Sequence, residues 1–312
     1  MSRACARSNL FGWALTVVEA LQFGIDLGGT KIEGAILDPS GAIQFRERVA
    51  TEADGGYEHI LARITTLYER MCQSAASVPH SLGIGTPGSV SPVSGALRNA
   101  NTVSLNGRLF VRDLSARLGR SFRIENDANC FALAEAQLCA GRGHHVVFGV
   151  IMGTGCGGGI VIDGRVHTGR NAIGAEWGHS ILDASGLACF CGHSGCVETF
   201  ISGSGLERRW LARSGEDRSA HEILALDTVR ARAFVAEFHQ HFGRALANLI
   251  NVLDPDIVVL GGGLSNVDSL YTEGVAAIRR EVFSDSFTTP IVRNTLGDSA
   301  GVVGAARLGA SS

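Results

Sequence analysis

The sequence predicts an α/β protein built as two duplicated halves around a central cleft. First, aliphatic strand-like segments alternate along the chain with helix-like segments, which is typical of layered α/β folds. Second, the segment at residues 23–38 repeats at residues 148–163. Third, each copy carries a cluster of glycines, in a chain where 41 of 312 residues are glycine.

The internal repeat predicts two matching β-hairpins. FGIDLGGTKIEGAILD and FGVIMGTGCGGGIVID share the leading Phe-Gly, two internal glycines and the final aspartate at a constant offset. In each copy a short aliphatic strand enters a glycine turn and leaves as a second strand, which indicates a hairpin.

The remaining segments continue the alternation. Apolar residues at helical spacing predict helices at residues 56–75 and at about 231–252. Short apolar runs that end in turns predict strands at 81–88 and 254–263. Residues 123–140 predict a strand that passes directly into an alanine-rich helix.

The composition excludes several classes of protein. With 27 Lys and Arg against 30 Asp and Glu, the net charge is -3, and no basic block marks a nucleic-acid surface. No apolar run approaches the roughly 20 residues that a membrane-spanning helix needs. Eight cysteines, mostly scattered along a long chain, favour a reducing compartment over a disulfide framework. We therefore expect a cytoplasmic protein that binds neither nucleic acid nor membranes.

Residues 1–22 are expected to form an extension outside the core of the two halves. Arg3 and Arg7 precede an apolar stretch from Leu10 to Val18, which loosely imitates a secretory signal. Glu19 interrupts this stretch and no small-residue cleavage site follows it. We interpret the segment as a dispensable extension.

The two glycine clusters are candidate phosphate-binding loops. Residues 153–158 contain the Gly-x-Gly-x-x-Gly spacing of a dinucleotide fingerprint, but that motif requires a helix directly afterwards, and here a strand follows. The Gly-Lys-Ser/Thr signature of a Walker loop is absent from the sequence. We expect backbone N–H groups of both turns to hold phosphate, with Thr30, Lys31 and Thr154 as further donors. The alternative is a pair of ordinary glycine-rich turns.

Three cysteines form a candidate metal site. Cys189, Cys191 and Cys196 lie close together in the segment CFCGHSGC, and His179 lies a short distance upstream. Three thiolates and one imidazole are a tetrahedral zinc set. His193 competes with His179 for the fourth position, and buried or redox-active thiols are the alternative to a metal.

Two carboxylates are candidates for the chemistry. Asp127 stands beside Asn126 where the predicted strand meets the helix, and an ionised carboxylate facing a cleft there can accept a hydroxyl proton during phosphoryl transfer. The alternative is that Asp127 only caps the helix. Asp26, inside the first hairpin, is suited to a Mg²⁺ ion that bridges phosphates. The alternative for Asp26 is a turn-capping role.

The chain carries the following motifs in this order: DLGGTK, GTPGSVSP, NDANCFALAEA, GTGCGGG, GAEWGH, CxCGxxGCxE and IVVLGGGLSN. Together they resemble the motifs of the ROK (repressor, ORF, kinase) family of sugar kinases. The resemblance covers about residues 22 to 309. It implies the actin-like ATPase fold, in which two ribonuclease H-like domains close around a cleft. The implied domains are residues 23–122 and 123–299, the second with a zinc loop at 179–198. The C-terminal helix, 300–312, is expected to pack back on the first domain.

The resemblance also implies a role for each candidate residue. Asp127 would be the catalytic base, and Asp26 remains the candidate for Mg²⁺. The residues contacting sugar hydroxyls would be Asn101, Asn126, Asp127, Glu176, His179 and Glu198. The residues holding ATP would be Gly28, Gly29, Thr30, Lys31, Gly153, Thr154, Gly155, Cys156, Gly157, Gly158, Gly261, Gly262 and Gly263. The structural zinc ligands would be His179, Cys189, Cys191 and Cys196.

The implied activity is ATP- and Mg²⁺-dependent phosphorylation of a hexose on its primary hydroxyl. Residues 91–118 most resemble bacterial fructokinases, so fructose is the expected substrate, with N-acetylglucosamine and glucose as alternatives. The segment between His179 and Cys189 is shorter than in a fructokinase, and the N-terminal extension has no counterpart there. The resemblance also suggests a homodimer.

Two other classes of function are alternatives to a sugar kinase. A sugar-responsive repressor of the same family needs a winged helix-turn-helix domain ahead of DLGGTK, where 22 residues precede Phe23. An actin-like or Hsp70-like ATPase without a small substrate is opposed by the cysteine cluster and the GAEWGH segment. Both are therefore disfavoured.

Overall fold

The computed structural model describes residues 20–76 and 78–310 and contains two five-stranded sheets. The first sheet consists of β1 (Leu21–Leu27), β2 (Lys31–Leu37), β3 (Ile43–Ala50), β4 (His80–Thr86) and β7 (Arg123–Asn126). The second consists of β8 (Val146–Met152), β9 (Cys156–Ile162), β10 (Arg165–Val166), β11 (Ile257–Gly261) and β12 (Ile291–Arg293). A separate short hairpin is formed by β5 (Ser89–Val90) and β6 (Leu97–Arg98).

The two sheets have the same topology. Their strand orders are β3-β2-β1-β4-β7 and β10-β9-β8-β11-β12. β1 pairs antiparallel with β2 and parallel with β4, and β8 does the same with β9 and β11. The predicted hairpins and the predicted duplication are therefore confirmed. The repeated residues Phe23 and Phe148 are both fully buried, each in the apolar core of its own half.

Helices cover the sheets and fill the space between them. They are α1 (Gly56–Ser74), α2 (Phe110–Leu118), α3 (Asp127–Leu138), α4 (Glu198–Ile201), α5 (Gly203–Ser214), α6 (Ala220–Ala225), α7 (Val229–Leu253), α8 (Glu273–Glu281) and α9 (Ala300–Ala310). The predicted helices correspond to α1, α3 and α7, and the predicted strands to β4, β7 and β11. No helix in the described part of the chain is long and apolar enough to cross a membrane.

The two halves meet where α3 packs against α9. α3 also contacts β8 and β9 of the second sheet, whereas α9 contacts β1 and β4 of the first. β7 pairs with β4, so the first sheet includes Arg123–Asn126, which lie beyond the boundary expected after residue 122. The local sequence pattern does not show which strand β7 pairs with. β1 begins at Leu21, inside the expected extension 1–22, of which residues 1–19 lie outside the described residues.

The packing of α3 on α9 depends on a glycine. A Cβ on Gly304 would lie 1.7 Å from the carbonyl oxygen of Cys130, which belongs to the α3 backbone. The two helices could accept that atom only by moving apart. This movement would disturb the close packing of the buried apolar side chains between α3 and α9.

We expect Gly304→Ala to lower the free energy of unfolding by about 3 kcal/mol or more, measured by urea denaturation. Gly153→Ala is the matched control, because a Cβ there meets nothing within 4 Å. A loss of less than ~1 kcal/mol for Gly304→Ala would show that α3 and α9 are not in backbone contact at this point.

Candidate active site

Two cavities large enough for a small-molecule ligand border the junction of β7 and α3. Asn126, the last residue of β7, lines a cleft of about 1200 Å³ whose walls come from both halves. Asp127, the first residue of α3, lines a second cavity of about 400 Å³ that reaches the end of β11. Consecutive side chains therefore face two binding spaces, and we call these the large cleft and the small cavity.

Asn126, rather than Asp127, occupies the capping position of α3. Its Oδ1 accepts a hydrogen bond from the N–H of Ala128 at 2.9 Å, and its Nδ2 donates to the carbonyl oxygen of Gly88 at 3.1 Å. Asp127 Oδ1 accepts from the same N–H of Ala128 at 2.8 Å. Because the helix already has a cap at Asn126, capping alone does not account for a carboxylate at residue 127.

The large cleft brings together four of the residues expected to bind sugar. Asn101 and Asn126 come from the first half, and Glu176 and His179 come from the second. Two amides, a carboxylate and an imidazole together offer both donors and acceptors, as recognition of a ligand with several hydroxyl groups requires.

Glu198 is not among the residues that line the large cleft, in contrast to its expected role. Its Oε2 accepts a hydrogen bond from the N–H of Cys156 at 2.9 Å, and its Oε1 lies 3.9 Å from the sulfur of Cys189. Glu198 therefore connects the cysteine cluster to the second glycine loop. The motif alone could not show which neighbour the carboxylate would contact.

The small cavity joins both candidate carboxylates to the end of β11. Its walls include Asp26, Asp127, Gly262 and Gly263, together with the first residues of α9. Residues 28–31, residues 153–158 and Gly261 are not among its walls. Two of the glycines expected to bind ATP, Gly262 and Gly263, therefore line the same cavity as the two carboxylates.

The C-terminal helix contributes to this cavity, which the sequence did not predict. A Cβ on Gly301, in the first turn of α9, would lie 2.6 Å from Oδ2 of Asp26. On another side, a Cβ on Gly85 would lie 3.2 Å from Oδ1 of Asp26. The absence of side chains at these two glycines leaves the space in which the Asp26 carboxylate lies.

The surroundings of both carboxylates disfavour their ionised forms. Burial, followed by the charges of Asp127 and Glu33, raises the pKa of Asp26 to about 7, against the opposing charges of Lys31 and Arg48. Desolvation by the surrounding walls raises the pKa of Asp127 to about 6, although its side chain is open to the small cavity. The N–H of Ala128 opposes this shift and the charge of Glu176 adds to it. Perturbed carboxylates of this kind are concentrated at functional sites.

The glycine loops lie at corresponding turns, one in each sheet. The first follows β1, and a Cβ on Gly29 would lie 3.7 Å from Oγ1 of Thr102, the neighbour of Asn101. The second follows β8, and a Cβ on Gly157 would lie 3.3 Å from the Cβ of Ala128 in the first turn of α3. The first loop therefore lies beside Thr102, next to the large cleft. The second loop lies beside Ala128, next to Asp127.

The cysteine cluster has the geometry of a metal site. The ligand atoms of His179, Cys189, Cys191 and Cys196 all lie within 4.8 Å of one another. Cys191 Sγ lies 3.6 Å from Cys196 Sγ, and Cys189 Sγ lies 3.6 Å from His179 Nδ1. Tetrahedral zinc with Zn–S bonds of about 2.3 Å places its sulfurs roughly 3.8 Å apart, so this donor set fits zinc.

The same cluster bears on the choice between the two histidines. His193 Nδ1 lies 3.6 Å from Cys191 Sγ, but His193 does not belong to the four-residue group. His179 does belong, and it also lines the large cleft. The geometry favours His179 as the fourth ligand.

Glu125 is a site residue that the sequence analysis missed. Its carboxylate accepts hydrogen bonds from Oγ1 of Thr168 at 2.5 Å, Nδ2 of Asn129 at 2.8 Å and N–H of Asn126 at 3.1 Å. Thr168 belongs to the second half, so Glu125 connects the halves beside the large cleft. The available signal was a carboxylate at a strand end, directly before Asn126 and Asp127.

Comparison with known proteins agrees with this architecture. The model of the ROK family matches residues 22–311, and the chain belongs to that family. It is 39% identical to an N-acetyl-D-glucosamine kinase of Mannheimia succiniciproducens over 301 residues, which is 92% of this chain and 98% of that protein. Within the ROK family, the chain is a sugar kinase.

Two crystal structures of ROK enzymes share the fold. A ROK hexokinase from Thermus thermophilus superimposes with a TM-score of 0.85 at 32% identity, covering 93% of this chain and 98% of that one. A ROK glucokinase from Streptomyces griseus, in complex with glucose and AMPPNP, gives a TM-score of 0.74 at 28% identity, covering 93% and 99%. The predicted actin-like fold of the family is thereby confirmed.

Proposed function

We propose that this protein is an ATP-dependent N-acetylglucosamine kinase that phosphorylates the primary hydroxyl of the sugar. The observation that carries the proposal is the β7–α3 junction, where Asn126 faces the large cleft and Asp127 faces the small cavity. A base in this position lies between a sugar in the large cleft and a nucleotide in the small cavity.

The choice of sugar follows from the relatives. The N-acetyl-D-glucosamine kinases of Mannheimia succiniciproducens and other bacteria are 36% to 39% identical to this chain over nearly its whole length. This similarity favours N-acetylglucosamine over fructose as the substrate.

In the proposed reaction, Asp127 accepts the proton of the sugar's primary hydroxyl as its oxygen attacks the γ-phosphorus of ATP. A new P–O bond forms to the sugar, the bond between the γ-phosphorus and the bridging oxygen breaks, and ADP leaves with the electron pair. Asn101, Asn126, Glu176 and His179 orient the ring hydroxyls. Because the protein supplies no covalent step, its contribution is positioning and electrostatic stabilisation.

The nucleotide is proposed to lie along the small cavity, with its phosphates toward the two glycine loops. The backbone N–H groups of these turns provide donors for phosphate oxygens, and Lys31 provides a positive charge. Gly262 and Gly263, which line the small cavity, leave room for the adenosine.

Asp26 is the proposed partner of Mg²⁺. Its carboxylate has no hydrogen-bond partner among the described residues, and nearby acidic groups help to raise its pKa. A divalent cation would neutralise this charge, and carboxylate oxygen suits Mg²⁺. When bound, the ion would screen the charge of the ATP phosphates.

The cysteine cluster is proposed to hold structural zinc, with His179 as the link to the sugar. One imidazole can ligate the metal through Nδ1 while its ring faces the large cleft, so the metal would fix the orientation of the ring. The homodimer and the cytoplasmic location remain predictions.

A coupled ADP-release assay over N-acetylglucosamine, glucose, mannose, fructose and N-acetylmannosamine tests the proposed function. We expect the highest kcat/KM for N-acetylglucosamine. A higher kcat/KM for fructose would indicate a fructokinase instead. ADP release independent of any sugar would contradict a sugar kinase.

We expect an acidic limb in the pH profile of kcat/KM with a midpoint near pH 6. A base works only when ionised, so a pKa raised to about 6 makes Asp127 lose activity as the pH falls through that value. Glu176→Gln removes one of the charges that raises this pKa and should move the limb to lower pH. A wild-type limb near pH 4 would show that the site does not raise the pKa of its base.

A further inference from the structure

A small pocket on the seam between the halves shares residues with the large cleft, but the reaction described above assigns no ligand group to it. Its volume is about 80 Å³, and it shares Asn126 and Glu176 with the large cleft. Its other walls come from β5, from the ends of β4 and β7, from the start of α3 and from the segment that begins at Thr168 and ends before Glu176. We call it the seam pocket.

Contacts across the seam fix the positions of the walls of this pocket. Thr168 Oγ1 donates to Oε1 of Glu125 at 2.5 Å, and Arg98 of the first half donates to the carbonyl oxygen of Asn171. Between these contacts and Glu176 the backbone is strained, with positive φ angles of 51° at Ala172 and 68° at Ala175. Non-glycine residues keep such angles only where the surrounding structure enforces them. The segment is thus fixed against the first half, with Glu176 at its end.

The walls of the seam pocket are divided between apolar and polar groups. Val90, Ile124 and Ala172 supply the apolar part. Ser89 Oγ accepts a long hydrogen bond from Nε of Arg98 at 3.4 Å, which leaves the Ser89 hydroxyl proton available to a ligand. The carboxylate of Glu176 has no hydrogen-bond partner within the described residues and can accept one.

These features match one substituent of a sugar. An acetamido group has one N–H donor, one carbonyl acceptor and one methyl group. The pocket volume corresponds to roughly three water molecules at about 30 Å³ each, which suits a group of four heavy atoms. The carboxylates of Glu125 and Glu176 disfavour phosphate or carboxylate substituents by repulsion between like charges.

We propose that the seam pocket is the subsite for the acetamido group of the sugar. Glu176 accepts its N–H, Ser89 donates to its carbonyl oxygen, and its methyl group packs on Val90, Ile124 and Ala172. The inference rests on the proposed function, because it requires the sugar ring to lie in the large cleft. The segment from Thr168 to Glu176, which the Thr168–Glu125 hydrogen bond holds in place, would then help to select the substrate.

The test compares kcat/KM for N-acetylglucosamine with kcat/KM for glucose in Ala172→Leu and Ser89→Ala. Leucine at residue 172 fills the pocket, and the ratio should fall at least tenfold. Ser89→Ala removes one hydrogen bond, and the ratio should fall by roughly five- to tenfold. Ser74→Ala is the matched control, because among the described residues the Ser74 hydroxyl bonds only the Met71 carbonyl oxygen at the end of α1.

A second measurement uses the unmodified protein, so its result does not depend on whether a variant folds. Glucosamine carrying an N-butanoyl group should be phosphorylated at least tenfold less efficiently than N-acetylglucosamine, because the pocket has no room for the longer chain. Equal losses for both sugars in the two variants, or equal rates for both acyl groups, would overturn the subsite while leaving the kinase intact. Failure of the wild-type protein to phosphorylate N-acetylglucosamine would instead overturn the proposed function, and the subsite with it.

Discussion

Replacing Asp127 with alanine is expected to lower kcat by about 10³-fold while the affinity for ATP stays within roughly threefold. The carboxylate lines the small cavity, which is the proposed nucleotide site, and its loss would remove the proposed proton acceptor without removing the donors proposed to hold phosphate. Steady-state kinetics with N-acetylglucosamine give kcat, and equilibrium titration with a non-hydrolysable ATP analogue gives the affinity.

The control for this variant is Asp54→Asn, which removes an exposed carboxylate in the short 3-10 turn before α1. It should retain wild-type kcat. If Asp127→Ala kept more than about a tenth of the wild-type kcat, Asp127 would contribute no more than local structure at the helix start.

Replacing Cys191 with serine is expected to remove about one zinc ion per chain and to lower the free energy of unfolding by at least about 3 kcal/mol. Structural zinc in comparable donor sets contributes on the order of 10 kcal/mol at neutral pH, and the segment around the cluster contains little regular structure of its own. Elemental analysis of the purified protein gives the metal content, and denaturant titration gives the stability.

Cys72→Ser provides the comparison, because Cys72 is a half-buried cysteine of α1 outside the cluster. It should keep the metal and most of the stability. Metal-free wild-type protein, purified without chelators and with full stability, would refute the zinc site.

Local patterns predicted much of the architecture. The two hairpins could be predicted because strand, turn and strand are adjacent in sequence, and the repeat between residues 23–38 and 148–163 showed that two sheets would share a plan. The cysteine cluster was equally accessible, since most of its ligands fall within one short segment.

Features that depend on contacts between distant segments could not be predicted in the same way. Glu198 was expected to face the sugar, but the fold directs its carboxylate to the N–H of Cys156. The approach of Gly301 to Asp26 joins the C-terminal helix to strand β1, near the other end of the sequence. The contact between Glu125 and Thr168 likewise spans the two halves. In each of these contacts, no periodicity or motif in one segment shows which distant residue it will meet.

The most direct test of the central claim is the stoichiometry and position of transfer, measured by ³¹P NMR and mass spectrometry with N-acetylglucosamine and ATP. If the two halves place a sugar hydroxyl against the γ-phosphate, each ADP will appear with one molecule of N-acetylglucosamine phosphorylated on its primary hydroxyl. ADP accompanied by inorganic phosphate and no sugar phosphate would contradict the account.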